Sequence, residues 1–274
     1  MNHEDVEKLS NAAIAKSTLL KNNFFKYFVR AIMAGFFIVV AMIFSNVVGN
    51  VFSGAEEPAW GKFLGALVFS IAVLLISLVG GELFTGNNLV MAFGAYDKKV
   101  SWGEAGKVWL ISYIGNFVGC LILSLIFVWA GASGTGDYFA GFIGNKLAIP
   151  AGQMFFRAVL CNFFVCLGVL CGIKLKSEAA KFLMIVMCIS GFVVSGFEHC
   201  VANMFYIPAG ILASFNPDYI RIAQKTYGIT ANQLENLNLS GSLHNFIPVT
   251  IGNVIGGMLF VAVPLFLIYK KDWK

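Results

Sequence analysis

Charge is what this chain has least of. Only 12% of its residues are Asp, Glu, Lys or Arg, against 58% that are hydrophobic, whereas an ordinary soluble domain is about one-quarter charged. A soluble globular protein is therefore excluded, and the chain reads as an integral membrane protein. Its six cysteines (Cys120, Cys161, Cys166, Cys171, Cys188 and Cys200) stand singly in apolar stretches. They form none of the CxxC pairs or Cys/His groupings that metal sites use, so no metal is expected, and they read as small buried hydrophobes. No cofactor motif and no activated nucleophile accompanies any acid or base, which argues against an enzyme; neither a cofactor nor a nucleic-acid partner is expected. The N-terminus, with Glu4, Asp5 and Glu7, has no small-residue cleavage site, so the first span is expected to direct insertion itself.

Long apolar runs are what the chain has in plenty. A helix needs about 20 apolar residues to cross the hydrocarbon, and six runs qualify, at 31–52, 63–93, 108–132, 154–173, 182–215 and 246–269. Residues 1–30 read either as an amphipathic segment on the cytoplasmic face or as a partly ordered basic tail, with no part in the chemistry in either case, and 31–272 as one six-span domain. The first span closes at an interface around Glu56-Glu57-Pro58, a glycine-rich loop runs from Gly131 to Gly144, and Lys270, Lys271 and Lys274 end the chain. If the N-terminus is inside, fourteen of the nineteen Lys and Arg residues fall on that side, as the positive-inside rule requires. Both termini are then cytoplasmic, in the inner (cytoplasmic) membrane.

The second and fifth runs are too long for one straight crossing, and each holds polar residues among glycines. Glu82 and Asn87 lie near Gly80, Gly81 and Gly86; Glu198, His199 and Asn203 lie near Gly191 and Gly196. Ionisable groups at that depth are costly unless they serve a pathway or a partner, so helices 2 and 5 are expected to be broken. The Glu-x4-Asn element is one of three signals that recur in order. Arg30-Ala31 returns as Arg157-Ala158, and Ile114-Gly115-Asn116 as Ile251-Gly252-Asn253. Two repeats follow, about 31–132 and 154–269, each with three crossings and hence oppositely oriented, an arrangement that places a site near the midplane. Within it, Glu82 and Glu198 are expected to accept from the backbone N–H groups freed by the breaks, with Asn87 and Asn203 serving either kind of orphan. Two half-helix N-termini facing each other would favour an anion.

The stretches 196–204 (GFEHCVANM), 81–87 (GELFTGN) and 251–257 (IGNVIGG) resemble the formate/nitrite transporter family over essentially the whole chain, with most similarity to its hydrosulfide channel branch. The resemblance implies an all-α, aquaporin-like fold of six transmembrane helices in a 3+3 inverted repeat, assembled as a homopentamer in membrane lipid with one pore per protomer. It implies a central group of His199, Glu198, Thr85, Asn162 and Asn253, with Lys146 in a vestibule. Constrictions are implied at Phe69, Val73, Leu83, Phe84 and Phe192, and structural roles at the breaks for Glu82, Asn87, Asn203 and Asn116. Val73 and Gly86 stand where the family usually has leucine and serine. On this reading Lys146 concentrates small anions at the outer mouth. A weak-acid anion, hydrosulfide foremost but also formate or nitrite, then crosses passively, with hydrogen bonding or proton exchange at His199. The alternative is a proton-coupled secondary transporter of formate or nitrite, since broken helices serve that mechanism too. A neutral-solute pore of the aquaporin type would normally carry two Asn-Pro-Ala loops, and this chain has neither.

Overall fold

The computed structural model describes residues 3–51, 59–131 and 142–269. The expected interface at 54–58, most of the 131–144 loop and the basic residues 270–274 lie outside the described residues. Among those described, every regular element is a helix.

The first helix, α1 (His3–Asn22), has Glu4 and Asp5 in its first turn and Lys21 in its last, each complementing the helix dipole. It does more than rest on a surface. Leu9 and Ala13 are fully buried, packed into one core with Leu89, Met91 and Phe93, and Ser10 Oγ donates to Asp97 at 2.7 Å while Ser17 Oγ donates to Glu104 at 2.9 Å. The first membrane helix, α2 (Phe24–Val51), begins before the expected Ala31, at a turn where Asn23 Oδ1 accepts from the Lys26 N–H.

The second crossing is α3 (Ala59–Phe69) and α4 (Ile71–Val79), nearly continuous through Ser70, and it stops at Gly80. Gly80 takes the left-handed φ of 91°, and the N–H groups of Gly80 and Gly81 both return to the Ile76 carbonyl. After Leu83 the chain restarts as α5 (Phe84–Tyr96). A capping box of Ser101 and Glu104 then starts α6 (Trp102–Trp129), satisfying two orphan donors at once. A short helical segment, α7 (142–147), precedes α8 (Ala151–Lys174).

The fifth crossing repeats the break. Helix α9 (Glu178–Val194) has 17 residues, a rise of about 25 Å that falls short of a hydrocarbon core of about 30 Å. It ends at Gly196, again left-handed at φ 69°, and after His199 the chain continues as α10 (Cys200–Ala213). Two short helices, α11 (Pro217–Tyr227) and α12 (Ala231–Leu234), fill the long polar connection. The last crossing is α13 (Leu239–Gly257), a π-helical turn at Met258–Ala262 and α14 (Val263–Tyr269). Pro264 offers no N–H to the preceding turn, and the wider π turn lies just before it.

Five helical stretches are long and apolar enough to cross a membrane unaided: Phe24–Val51, Ala59–Val79, Trp102–Trp129, Ala151–Lys174 and Leu239–Tyr269. With α9 and α10 end to end, these make the six crossings of the inverted repeat. The repeated sequence motifs are its contact points. A Cβ on Gly115 or Gly119 of α6 would strike Ala31 or the Ile32 carbonyl of α2, and a Cβ on Gly252 or Gly256 of α13 would strike Ala158 or the Val159 carbonyl of α8. Small residues let helix backbones approach in lipid, where packing replaces the hydrophobic drive. The same two glycine positions do this in both halves.

Candidate functional site

Breaking a helix within a bilayer frees backbone groups that water cannot reach, and one asparagine closes each break. Asn116 of α6 accepts from the Phe84 N–H at 2.9 Å through Oδ1, while its Nδ2 donates to the carbonyls of Ala31 at 2.8 Å and Glu82 at 2.9 Å. Asn253 of α13 accepts from the Cys200 N–H at 2.9 Å and donates to the carbonyls of Ala158 at 2.8 Å and Glu198 at 3.0 Å. These two triple contacts are the same residue used twice, and they correct one expectation. The carboxylates of Glu82 and Glu198 do not cap the freed amides, because the third helix of each repeat reaches them first.

Each carboxylate instead meets a lysine. Lys146 Nζ donates to Glu198 at 2.8 Å, and Asn203 Nδ2 donates to the same carboxylate at 2.8 Å. Lys16 Nζ donates to Glu82 at 2.6 Å, with Asn87 Nδ2 on the same oxygen at 3.3 Å. Lys16 was not expected here. The signal for it is its place, since it precedes the first span of its repeat as Lys146 precedes the first span of the other. Asn245 was also missed; it accepts from Asn203 Nδ2 at 2.6 Å, and no repeated motif pointed to it. On the other side Tyr27 accepts from Asn87 Nδ2 at 3.1 Å, and Trp109 Nε1 donates to the Asn87 carbonyl at 2.9 Å.

Between the two lysine–glutamate pairs lies His199. Its Nδ1 accepts from the Ala202 N–H at 3.1 Å, capping α10, so the neutral ring carries its proton on Nε2. That Nε2 lies 3.0 Å from Thr85 Oγ1 and donates to it. Thr85 is in the first turn of α5, so this one bond brings the N-termini of α5 and α10 together, with the positive ends of both helix dipoles at the centre.

Two cavities approach this centre from opposite sides. One, of about 370 Å³, is bordered by Lys146, Glu198, His199, Phe69, Phe192 and Arg157 among others. The other, of about 310 Å³, is bordered by Lys16, Glu82, Asn87, Val73, Leu83 and Arg30 among others. No residue borders both. Phe192 stacks on the His199 ring with centroids 5.7 Å apart and meets Phe69 edge-on at 6.0 Å. Phe69, Phe192, Val73 and Leu83 are all at most 5% exposed, so an apolar layer separates the two cavities beside the histidine.

Other expected site residues stand behind this layer. Phe84 packs edge-on against Tyr113 at 5.0 Å and borders neither cavity. Asn162 is fully buried and donates to the carbonyls of Thr85 at 3.3 Å and Asn253 at 2.6 Å and to Asn88 Oδ1 at 3.0 Å. Asn162, Asn116 and Asn253 hold the loops that carry Thr85 and His199, while Lys146, Glu198 and His199 face the cavity.

Over residues 3–267 the sequence matches a family described as "Formate/nitrite transporter". The chain belongs to the formate/nitrite transporter family. As a member it is a multi-pass membrane protein of a class of transporters and channels, not an enzyme. Among the relatives of this formate/nitrite transporter chain, the formate channel FocA of Escherichia coli K12 is 33% identical over 260 residues, spanning 90% of this chain and 87% of its own. The nitrite transporter NirC of the same strain is 29% identical over 264 residues, spanning 95% and 90%. A solved structure described as a pentameric formate channel with formate bound is similar over 92% of this chain and 99% of its own, at 33% identity and a TM-score of 0.77.

Proposed function

We propose that the chain is a passive channel for small monovalent weak-acid anions, the class that includes formate, nitrite and hydrosulfide. On this reading it lies in the cytoplasmic membrane as a homopentamer with one pore per protomer, both termini and Lys16 on the cytoplasmic side and Lys146 outside. The observation that carries the proposal is the 3.0 Å contact between Thr85 and His199, which joins two helix N-termini between two cavities. Small anions have a reason to collect there, because dipole ends and hydrogen-bond donors replace lost hydration. The apolar layer of Phe69, Phe192, Val73 and Leu83 then sets the selectivity. A bare ion sheds its water in passing it, at a cost of several kcal/mol. A weak acid escapes that cost by taking up a proton and crossing neutral, with the Thr85–His199 pair orienting it.

Flux into liposomes, measured against pH for formate and for a permanently ionised anion of similar size, tests this. The expected result is that formate flux rises as pH falls while the strong-acid anion stays slow throughout. Equal flux of both at every pH would remove protonation from the account. The hydrosulfide preference implied by the sequence resemblance alone is tested in the same vesicles by comparing hydrosulfide with formate and nitrite. Accumulation above the gradient that an uncoupler abolishes would favour a proton-coupled transporter.

A further inference from the structure

At each mouth the lysine is spoken for. Lys146 lies 2.8 Å from Glu198 and Lys16 lies 2.6 Å from Glu82, and at such separations the two charges of each pair nearly cancel at any distance beyond the pair itself. Neither lysine therefore supplies the field that draws an anion in. At both mouths the positive charge left over includes an arginine, joined in the Lys146 cavity by exposed Lys62. Arg157 of α8 is half-buried and borders the Lys146 cavity, and Arg30 of α2 is half-buried and borders the Lys16 cavity. Neither side chain has a hydrogen-bonding or ionic partner among the described residues.

The two arginines are also one position of the repeat. Each directly precedes the alanine whose carbonyl is held by the helix-break asparagine, Ala31 by Asn116 and Ala158 by Asn253. The first break lies beside one of them, with Gly80 next to the Arg30 guanidinium. Two unpaired guanidinium groups at equivalent places, one bordering each cavity, form a symmetric arrangement that a stray surface arginine would not. Exposed Lys62 adds charge to the Lys146 cavity, without a fixed donor geometry.

Guanidinium chemistry says what these positions would take. Its N–H donors lie in one plane as a fork that two oxygens of a carboxylate or of nitrite can meet together, and it is more weakly hydrated than an ammonium. A single-centre anion such as hydrosulfide or chloride engages only one point of that fork. We infer that Arg157 and Arg30 are the anion-docking residues of the two mouths, and that they favour flat two-oxygen anions over single-centre ones. The inference rests on the anion-conducting reading above.

Initial flux of formate, nitrite, hydrosulfide and chloride through the full-length protein in liposomes tests it. Arg157→Lys keeps the charge and removes the fork. Its half-saturating concentration for formate and nitrite on the Lys146 side is expected to rise about tenfold, the loss of one charge-assisted hydrogen bond. That for hydrosulfide and chloride should change less than about twofold. Arg157→Gln removes the charge as well and should raise all four, and Arg30→Lys should reproduce the pattern from the opposite side. An unchanged formate-to-hydrosulfide ratio in a correctly assembled Arg157→Lys protein overturns the docking role. Wild-type protein that passes none of the four overturns the anion-channel reading itself, and the two failures are thus separate. A measurement on wild-type protein avoids any folding defect in the variants. Phenylglyoxal labelling of Arg157, located by peptide mass spectrometry, should be slowed by formate and hardly by chloride, and equal labelling under both conditions overturns the proposal.

Discussion

Replacing Lys146 alone strands the Glu198 carboxylate, whose side chain is 3% exposed. Breaking a buried pair from one side costs about 3–5 kcal/mol, whereas replacing both partners with uncharged groups is often nearly neutral. Lys146→Met is therefore expected to lower the thermal unfolding temperature in detergent strongly, and Lys146→Met combined with Glu198→Gln to recover most of the loss. If the double variant is as unstable as the single one, the pair is not what holds that mouth together. The Thr85–His199 contact has a different signature. Thr85→Val keeps the shape and removes the acceptor for Nε2, so transport should fall about tenfold, the worth of one buried hydrogen bond of about 1.5 kcal/mol. Stability should change much less than in Lys146→Met.

On the scale of helices, the two halves make the same claim twice. Asn116 and Asn253 each hold three backbone groups across a break. Asn116→Leu and Asn253→Leu should thus each cost about 2–4 kcal/mol, at about 1 kcal/mol per hydrogen bond lost, with similar shifts in unfolding temperature. A large effect from one and none from the other would break the equivalence of the repeats. The close helix pairs predict more of the same, with Gly115→Ala and Gly252→Ala each overpacking their contact by about 1–3 kcal/mol. Both breaks were legible in the sequence because runs 63–93 and 182–215 are too long for one crossing and carry a glutamate each. The asparagine clamps were legible only as a repeated motif. Their action was not, since it depends on the third helix of each half lying against the first. What the glutamates do was misread for a related reason: their partners come from outside the apolar runs, from α1 and α7. Sequence patterning ties a charge to its own segment and says little about a lysine that arrives from elsewhere.

Across the whole molecule, the proposed orientation predicts that tags at the two ends are reached from the same side, the cytoplasmic one, as protease protection in intact and opened cells would show. A tag cleaved from outside in intact cells would reverse the assignment. Native mass spectrometry should find five copies of the 29.8 kDa chain. The all-helical membrane class followed from composition and run length, because a bilayer permits so few solutions, whereas the inverted repeat came from the recurring motifs and the aquaporin-like arrangement from the family resemblance. The docking of α1 did not, as the only fully buried apolar residues on it are Leu9 and Ala13 and the rest of its buried face is Asp5, Ser10 and Ser17, too thin an apolar stripe to announce itself. That docking has an electrical consequence. With α1 in place, Glu82 is matched by Lys16; without it, the same throat would lose that positive charge and set the Glu82 carboxylate against Arg30 alone. The leading helix thus supplies the counter-charge of the mouth. A protein trimmed of residues 1–22 should pass anions unequally in the two directions, rectifying where the intact chain does not.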